Sequence, residues 1–327
     1  PRDRHSLLPY LTHTMLAIVE GLFTKTVAST GASMTRRDLL TRLSAGAVAA
    51  LADSLASPAV ARANARRPAL PGSALSAEDG APARPTKLSA FPLEDVRLLP
   101  GPFLDAQQRD LAYLLALDPD RMLHNFRVNA KLTPKAPVYA GWESEEPWIG
   151  IRCHGHTLGH YLTAASLMYA STGDARMKQR VDYIVSELAA CQQAAGTGLV
   201  CAFPDGALQL ENAIAGRRFV GVPWYTMHKI FAGLRDASIH AASASALVVL
   251  TRLADWAVTS TSPMTDEAFE VMLRTEHGGM NEVLADLSAL TNDPKYLVLA
   301  RRFSHKVLLT PLAESRDTLD GLHANTQ

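Results

Sequence analysis

"GHYLTAASLMYASTGDARMKQRVDYIVSELAACQ", residues 159–192, carries apolar side chains at spacings of three and four on both sides of one tight Thr-Gly-Asp turn. That period belongs to two amphipathic helices folded back on each other. "MHKIFAGLRDASIHAASASALVVLTRLADWA" (227–257) repeats the plan with His-Ala-Ala-Ser at the turn, and "MNEVLADLSALTNDPKYLVLARRFSHKVLL" (280–309) repeats it with Thr-Asn-Asp-Pro. A helical hairpin cannot bury its apolar face alone, so these units must stack on one another. Their spacing exceeds that of most helical solenoids, and a long connection (202–224) precedes one of them. Hairpins of this size, with loops gathered at one end, suit an all-α fold of the α/α toroid class. In such a fold inner helices line a central cavity and outer helices surround them. Upstream, "GPFLDAQQRDLAYLLALDPDRML" keeps the helical period, and alternating β-branched runs are scarce.

The bulk composition narrows the function. The chain has 327 residues, 47% of them apolar, and a formal net charge of zero, which removes the electrostatic argument for nucleic acid or an anionic membrane as partner. Uninterrupted apolar runs of about 18 residues are missing, so no transmembrane helix is expected. Cys153, Cys191 and Cys201 form no Cys-x-x-Cys pair and are odd in number, which argues against a disulfide framework.

The first 88 residues are of another kind. In "MTRRDLLTRLSAGAVAALADSLASPAVARANA" (34–65), Arg36-Arg37 precede an Ala-rich apolar stretch that ends in small residues at alternate positions. This is the order of a twin-arginine export signal, with cleavage after Ala63 or Ala65, and it implies a periplasmic or secreted product. Asp53 within the apolar stretch departs from that pattern. Residues 1–33 are expected to be an upstream extension. Residues 66–88, rich in Pro, Ala, Gly and Ser, are expected to be a disordered linker ahead of a folded part that covers 89–327 and starts near Phe91.

Polar residues recur at the N-terminal end of each first helix: His156 and His160, then Tyr225 and His228, then His277, Asn281 and Glu282. "GLHANTQ", with His323, opens another such element at 321–327. If the first helices are the inner ones, these clusters meet at one mouth of the cavity. Neutral hydrogen-bonding side chains beside Trp142, Trp148 and Trp224 suit sugar hydroxyls and sugar faces. One histidine at a helix start is ordinarily a cap or a core residue, and Glu282 could simply favour the positive end of a helix dipole. Their recurrence in successive units is what points to a carbohydrate pocket. "CHGHTLGH" (153–160) invites a metal reading, but no partner ligand stands at a fixed spacing, and none is assigned. Glu143, Glu145 and Glu146 in "GWESEEPW" are expected in a solvated loop. Glu276 and Glu282 are candidates for a catalytic carboxylate pair, although they lie close together in sequence.

Five blocks, "LEDVRLLPGPFLDAQQRDLAYLLALDPDRMLHNFRVNA", "GHTLGHYLTAASLMYASTGD", "VPWYTMHKIFAGL", "EHGGMNEVLADL" and "LDGLHANTQ", resemble the β-L-arabinofuranosidases of glycoside hydrolase family 127 and its close relative family 146, in the family's order and from about Leu93 to the last residue. The resemblance implies an (α/α)6 barrel and retaining removal of terminal β-L-arabinofuranosyl residues from plant-derived glycans. It also implies a zinc-held cysteine thiolate as nucleophile and a separate Glu as acid/base. In the family these chemical groups follow the His-Ala-Asn-Thr-Gln block, so none is expected in this chain, whose toroid is expected to be truncated at Gln327 and inactive alone. By the resemblance His228, His277 and His323 contact the sugar. Glu282, Asn281, Tyr225 and His160 match family blocks without individual roles. Another sugar-processing toroid, such as an epimerase or unsaturated-uronyl hydrolase, and a non-catalytic glycan-binding module are the competing readings.

Overall fold

The computed structural model describes residues 90–144 and 152–319. All described residues fall in one compact unit of the chain. The expected export signal, extension and linker, together with Glu145, Glu146, Trp148 and His323, lie outside the described residues.

Among the described residues the regular structure is helical: α1 Pro102–Ala116, α2 Pro119–Asn129, α3 His156–Thr172, α4 Ala175–Ala195, α5 Leu208–Ile214, α6 Pro223–His240, α7 Ala244–Thr261, α8 Asp266–Met272, α9 Met280–Thr291, α10 Pro294–Arg302 and α11 Lys306–Ala313. The three expected hairpins are α3–α4, α6–α7 and α9–α10. Local chemistry makes their turns. Gly173 closes α3 with φ +75° while the Asp174 side chain accepts from the Arg176 N–H to open α4. Asn292 closes α9 in the left-handed region, Asp293 accepts from the Lys295 N–H, and Pro294 sits at the first position of α10. Ser243 accepts from the Ala246 N–H at the start of α7.

Cross-helix contacts give the directions. Gly159 faces Lys229 and Thr163 bonds Asp236, so α3 and α6 run parallel. The Tyr225 N–H donates to the Glu276 carbonyl, and Arg235 reaches Glu282 and Asp286 further along, so α6 and α9 also run parallel. In the second layer Gln192 reaches the Val249 carbonyl, Lys295 pairs with Asp255, and Arg302 donates to the Thr261 carbonyl, which aligns α4, α7 and α10. An inner layer of parallel helices inside an antiparallel outer layer is the plan of an α/α toroid. The fully buried side chains Leu162, Leu188, Leu234, Leu250, Leu253, Leu284 and Leu287 belong to these two layers. Each Leu removed from water contributes on the order of 1.5–3 kcal/mol, and this burial drives the stacking.

Two features depart from the sequence reading. The helix after the third turn does not run on through "FSHKVLL": α10 stops at Arg302 and α11 starts at Lys306. Phe303 and His305 are both buried, and residues two apart on a helix point in nearly opposite directions, so an unbroken helix could not bury both. Secondly, α1 and α2 lie along α3 as one interrupted antiparallel track. Gln107 meets Ser171, the Tyr161 hydroxyl donates to the Leu114 carbonyl, and Phe126 lies against Gly155. Pro119 and the extended Leu117 break that track between the two helices.

Candidate functional site: a histidine-lined mouth

The N-terminal ends of α3, α6 and α9 lie together because their helices are parallel and in register. Two close approaches set how near they come. A Cβ on Gly159 would fall 2.2 Å from the Lys229 carbonyl, and one on Gly233 would fall 2.7 Å from the Gly159 carbonyl, so only hydrogen at both positions lets α3 and α6 touch along their backbones. On the other side, Gly278 (φ +56°) and Gly279 wrap the His228 ring. Their added Cβ atoms would lie 2.7 Å from Nδ1 and 2.9 Å from Nε2.

Around this junction stand the polar residues of the sequence clusters. The His156 ring meets Trp142 edge-on at 5.8 Å, His160 at 5.9 Å and Tyr225 at 6.4 Å. Lys229 lies over the Tyr225 ring at 4.4 Å. His277 is buried, its Nδ1 3.2 Å from the Thr275 carbonyl. Burial, with Lys229, Arg235, His160 and His277 nearby, pushes the His228 pKa down to about 3. Burial and Lys229 lower that of His160 to about 4, although one side of His160 is open to solvent. Burial also lowers the His156 pKa, against the opposing pull of Glu143. The imidazoles of His156, His160 and His228 are therefore neutral at pH 7. Each neutral ring offers one donor and one acceptor, the combination that fits a hydroxyl.

The chain matches the β-L-arabinofuranosidase family model, GH127 catalytic domain, over residues 95–327. It belongs to glycoside hydrolase family 127. Among solved structures it is similar to Ara127N-Se, a GH127 β-L-arabinofuranosidase from Geobacillus stearothermophilus T6. The identity is 14% and the TM-score 0.40, with 68% of this chain and 34% of that chain covered. The chain thus spans about a third of that relative's length. No curated protein matches.

Within this family-127 chain, the sequence-derived site residues fall into three groups. Tyr225, His228, His160 and His277 come together at the mouth. Asn281 and Glu282 stand one turn further along. The Asn281 side chain accepts from the Glu282 N–H, and the exposed Glu282 carboxylate pairs with Arg235 at 3.2 Å. His323 lies outside the described residues.

Trp224 is a correction, because it does not face the cavity. It is buried, donates from Nε1 to the Met272 sulfur, and packs on Trp256 and Phe303. These contacts hold its indole in the core, while Tyr225, the next residue of α6, lies about 100° further round the helix and stands beside His156.

Glu143 is a second correction. It is buried rather than solvated, and its Oε2 accepts from the Gly155 N–H at 2.7 Å. Cys153 lies near it, and burial with Glu143 and Glu276 raises that thiol to about 12, so it carries no thiolate at neutral pH. A carboxylate that reaches into the start of a helix from ten or more residues upstream leaves no periodic trace, which is why Glu143 was missed.

Proposed function

We propose that this chain supplies the sugar-binding wall of a glycosidase that removes terminal β-L-arabinofuranosyl residues, with retention, from plant-derived glycans. Family membership supports the substrate class. The observation that carries the reading is the convergence of neutral His160 and His228 with His277, Tyr225 and Trp142 at one end of three parallel inner helices. Such a wall binds hydroxyls by hydrogen bonds and covers a sugar face with aromatic rings, which holds the reacting carbon in place. The twin-arginine pattern at Arg36-Arg37 supports export to meet that substrate.

The resemblance also implies a zinc-held thiolate. Among the described residues no three His, Cys, Asp or Glu side chains group to hold a metal. Cys191 and Cys201 line a separate cavity of about 260 Å³ beside α2 and α4, while Cys153 is protonated under the mouth. The described residues therefore do not fit the ion. What they do is bind and orient.

Calorimetric titration of the full chain with methyl β-L-arabinofuranoside, with methyl β-D-xylopyranoside as control, tests the reading. Selective binding of the arabinoside is expected. Equal binding of both sugars, or of neither, would overturn it.

A further inference from the structure

The half-buried His156 is held by a backbone carbonyl and a buried carboxylate together. Its Nδ1 lies 2.7 Å from the Cys153 carbonyl oxygen. A carbonyl only accepts, so Nδ1 must carry the hydrogen. Glu143 reinforces this choice. Its Oε2 is tied to the Gly155 N–H, and its buried Oε1, with no hydrogen-bond partner of its own, lies 3.7 Å from the same Nδ1. A carboxylate on that side favours a ring whose hydrogen points toward it. The lone pair of the neutral imidazole is then at Nε2, which makes no hydrogen bond among the described residues. The ring carrying it stands between Trp142, His160 and Tyr225.

We propose that His156 is a sugar-contacting residue whose Nε2 accepts a hydrogen bond from a hydroxyl of the bound arabinofuranose, and that Glu143 is the positioning residue that fixes its tautomer. The proposal rests on the sugar-binding reading above and deepens it, because it assigns one acceptor of defined direction to the wall. The donor must be a hydroxyl. A carboxylate or an ether oxygen at that point would face a lone pair and be repelled, which disfavours uronic acids at this subsite. Trp142 stands edge-on to the ring.

The test has a part that needs no sugar. Nitrogen-15 NMR of the full chain is expected to show His156 as the Nδ1–H tautomer, with Glu143→Gln shifting part of the population to Nε2–H. Gln at 143 keeps an acceptor for the Gly155 N–H, so the helix start is retained. An Nε2–H tautomer in the unaltered chain would overturn the proposal, and no change in Glu143→Gln would overturn the role of Glu143.

The second part is titration with methyl β-L-arabinofuranoside. His156→Ala and His156→Asn are expected to weaken binding by roughly ten- to a hundredfold, whereas His156→Gln, whose amide reaches the Nε2 position, should lie within about fivefold of the unaltered chain. A merely structural histidine would show no such difference between Asn and Gln. Binding unchanged in all three variants would sink the proposal while leaving the sugar-binding reading intact. Failure of the unaltered chain to bind would sink that reading instead.

Discussion

Gly159 on α3 and Lys229 on α6 approach until the missing Cβ of the glycine would stand 2.2 Å from the lysine carbonyl oxygen. The contact lies one turn behind the mouth, so it sets the gap between the helices that present His156 and His228. Gly159→Ala must push α3 and α6 apart, because backbone cannot rotate aside. Overpacking of this kind costs typically 1–3 kcal/mol, and the backbone contact here places it at about 3 kcal/mol or above. Urea unfolding should show that loss together with weaker sugar binding. Gly196→Ala is the control: nothing lies within 4 Å of its Cβ, and only its φ of +70° is strained. A Gly159→Ala chain no less stable than Gly196→Ala would refute the close-packed crossing.

Gly278 has a different consequence. Its φ is +56° and its Cβ would lie 2.7 Å from His228 Nδ1. Gly278→Ala should therefore displace the ring at the mouth and weaken arabinoside binding by about tenfold or more, with a stability loss of only about 1–2 kcal/mol from the left-handed backbone. Titration and melting of the same sample separate the two effects. A loss of stability with full affinity would show that His228 does not contact sugar.

The histidines make stability depend on pH. In the unfolded chain His228 titrates near 6.5, and burial lowers it to about 3 in the folded chain. Between those values the unfolded chain holds a proton that the folded chain does not, so acid favours unfolding. The contribution of the neutral ring is fully present above pH 6.5 and is lost as pH falls toward 3. His160 and His305 shift in the same direction through burial. Each such group adds at most about 1.4 kcal/mol per pH unit to the slope. Urea midpoints measured from pH 7 to 4 should fall, and His228→Gln should flatten the curve. An unchanged slope in that variant would show that the ring is solvated.

Position along α6 separates wall from turn. His228→Ala should weaken arabinoside binding by about ten- to a hundredfold, the loss of one sugar hydrogen bond of about 1–3 kcal/mol. His240, at the far end of the same helix, should leave affinity unchanged when replaced by Ala. Equal effects at the two positions would remove the inner-helix orientation.

Much of this was legible without coordinates, and the reasons are local. The Thr-Gly-Asp and Asn-Asp-Pro turns declare themselves because a left-handed C-cap followed by an Asp N-cap is chemistry within four residues. The three apolar periods around them announce the two layers. Polar residues at the start of each inner helix could be aligned by position alone, which brought His160, Tyr225, His228 and His277 to one mouth. The break between α10 and α11 was not legible, since it follows from the simultaneous burial of Phe303 and His305 against neighbours distant in sequence.

The sequence by itself determined the helices, their turns, the toroid class and the family, because each rests on residue types at short, regular spacing. Only the tertiary structure decided which polar groups face the cavity and in what state. Trp224 turned inward to the core, and Glu143 is buried where it accepts from the Gly155 N–H and lies beside His156. The physical reason is that a side chain's direction, its burial and hence its proton depend on neighbours brought together by backbone contacts such as that of Gly159 with Lys229, which no local pattern encodes.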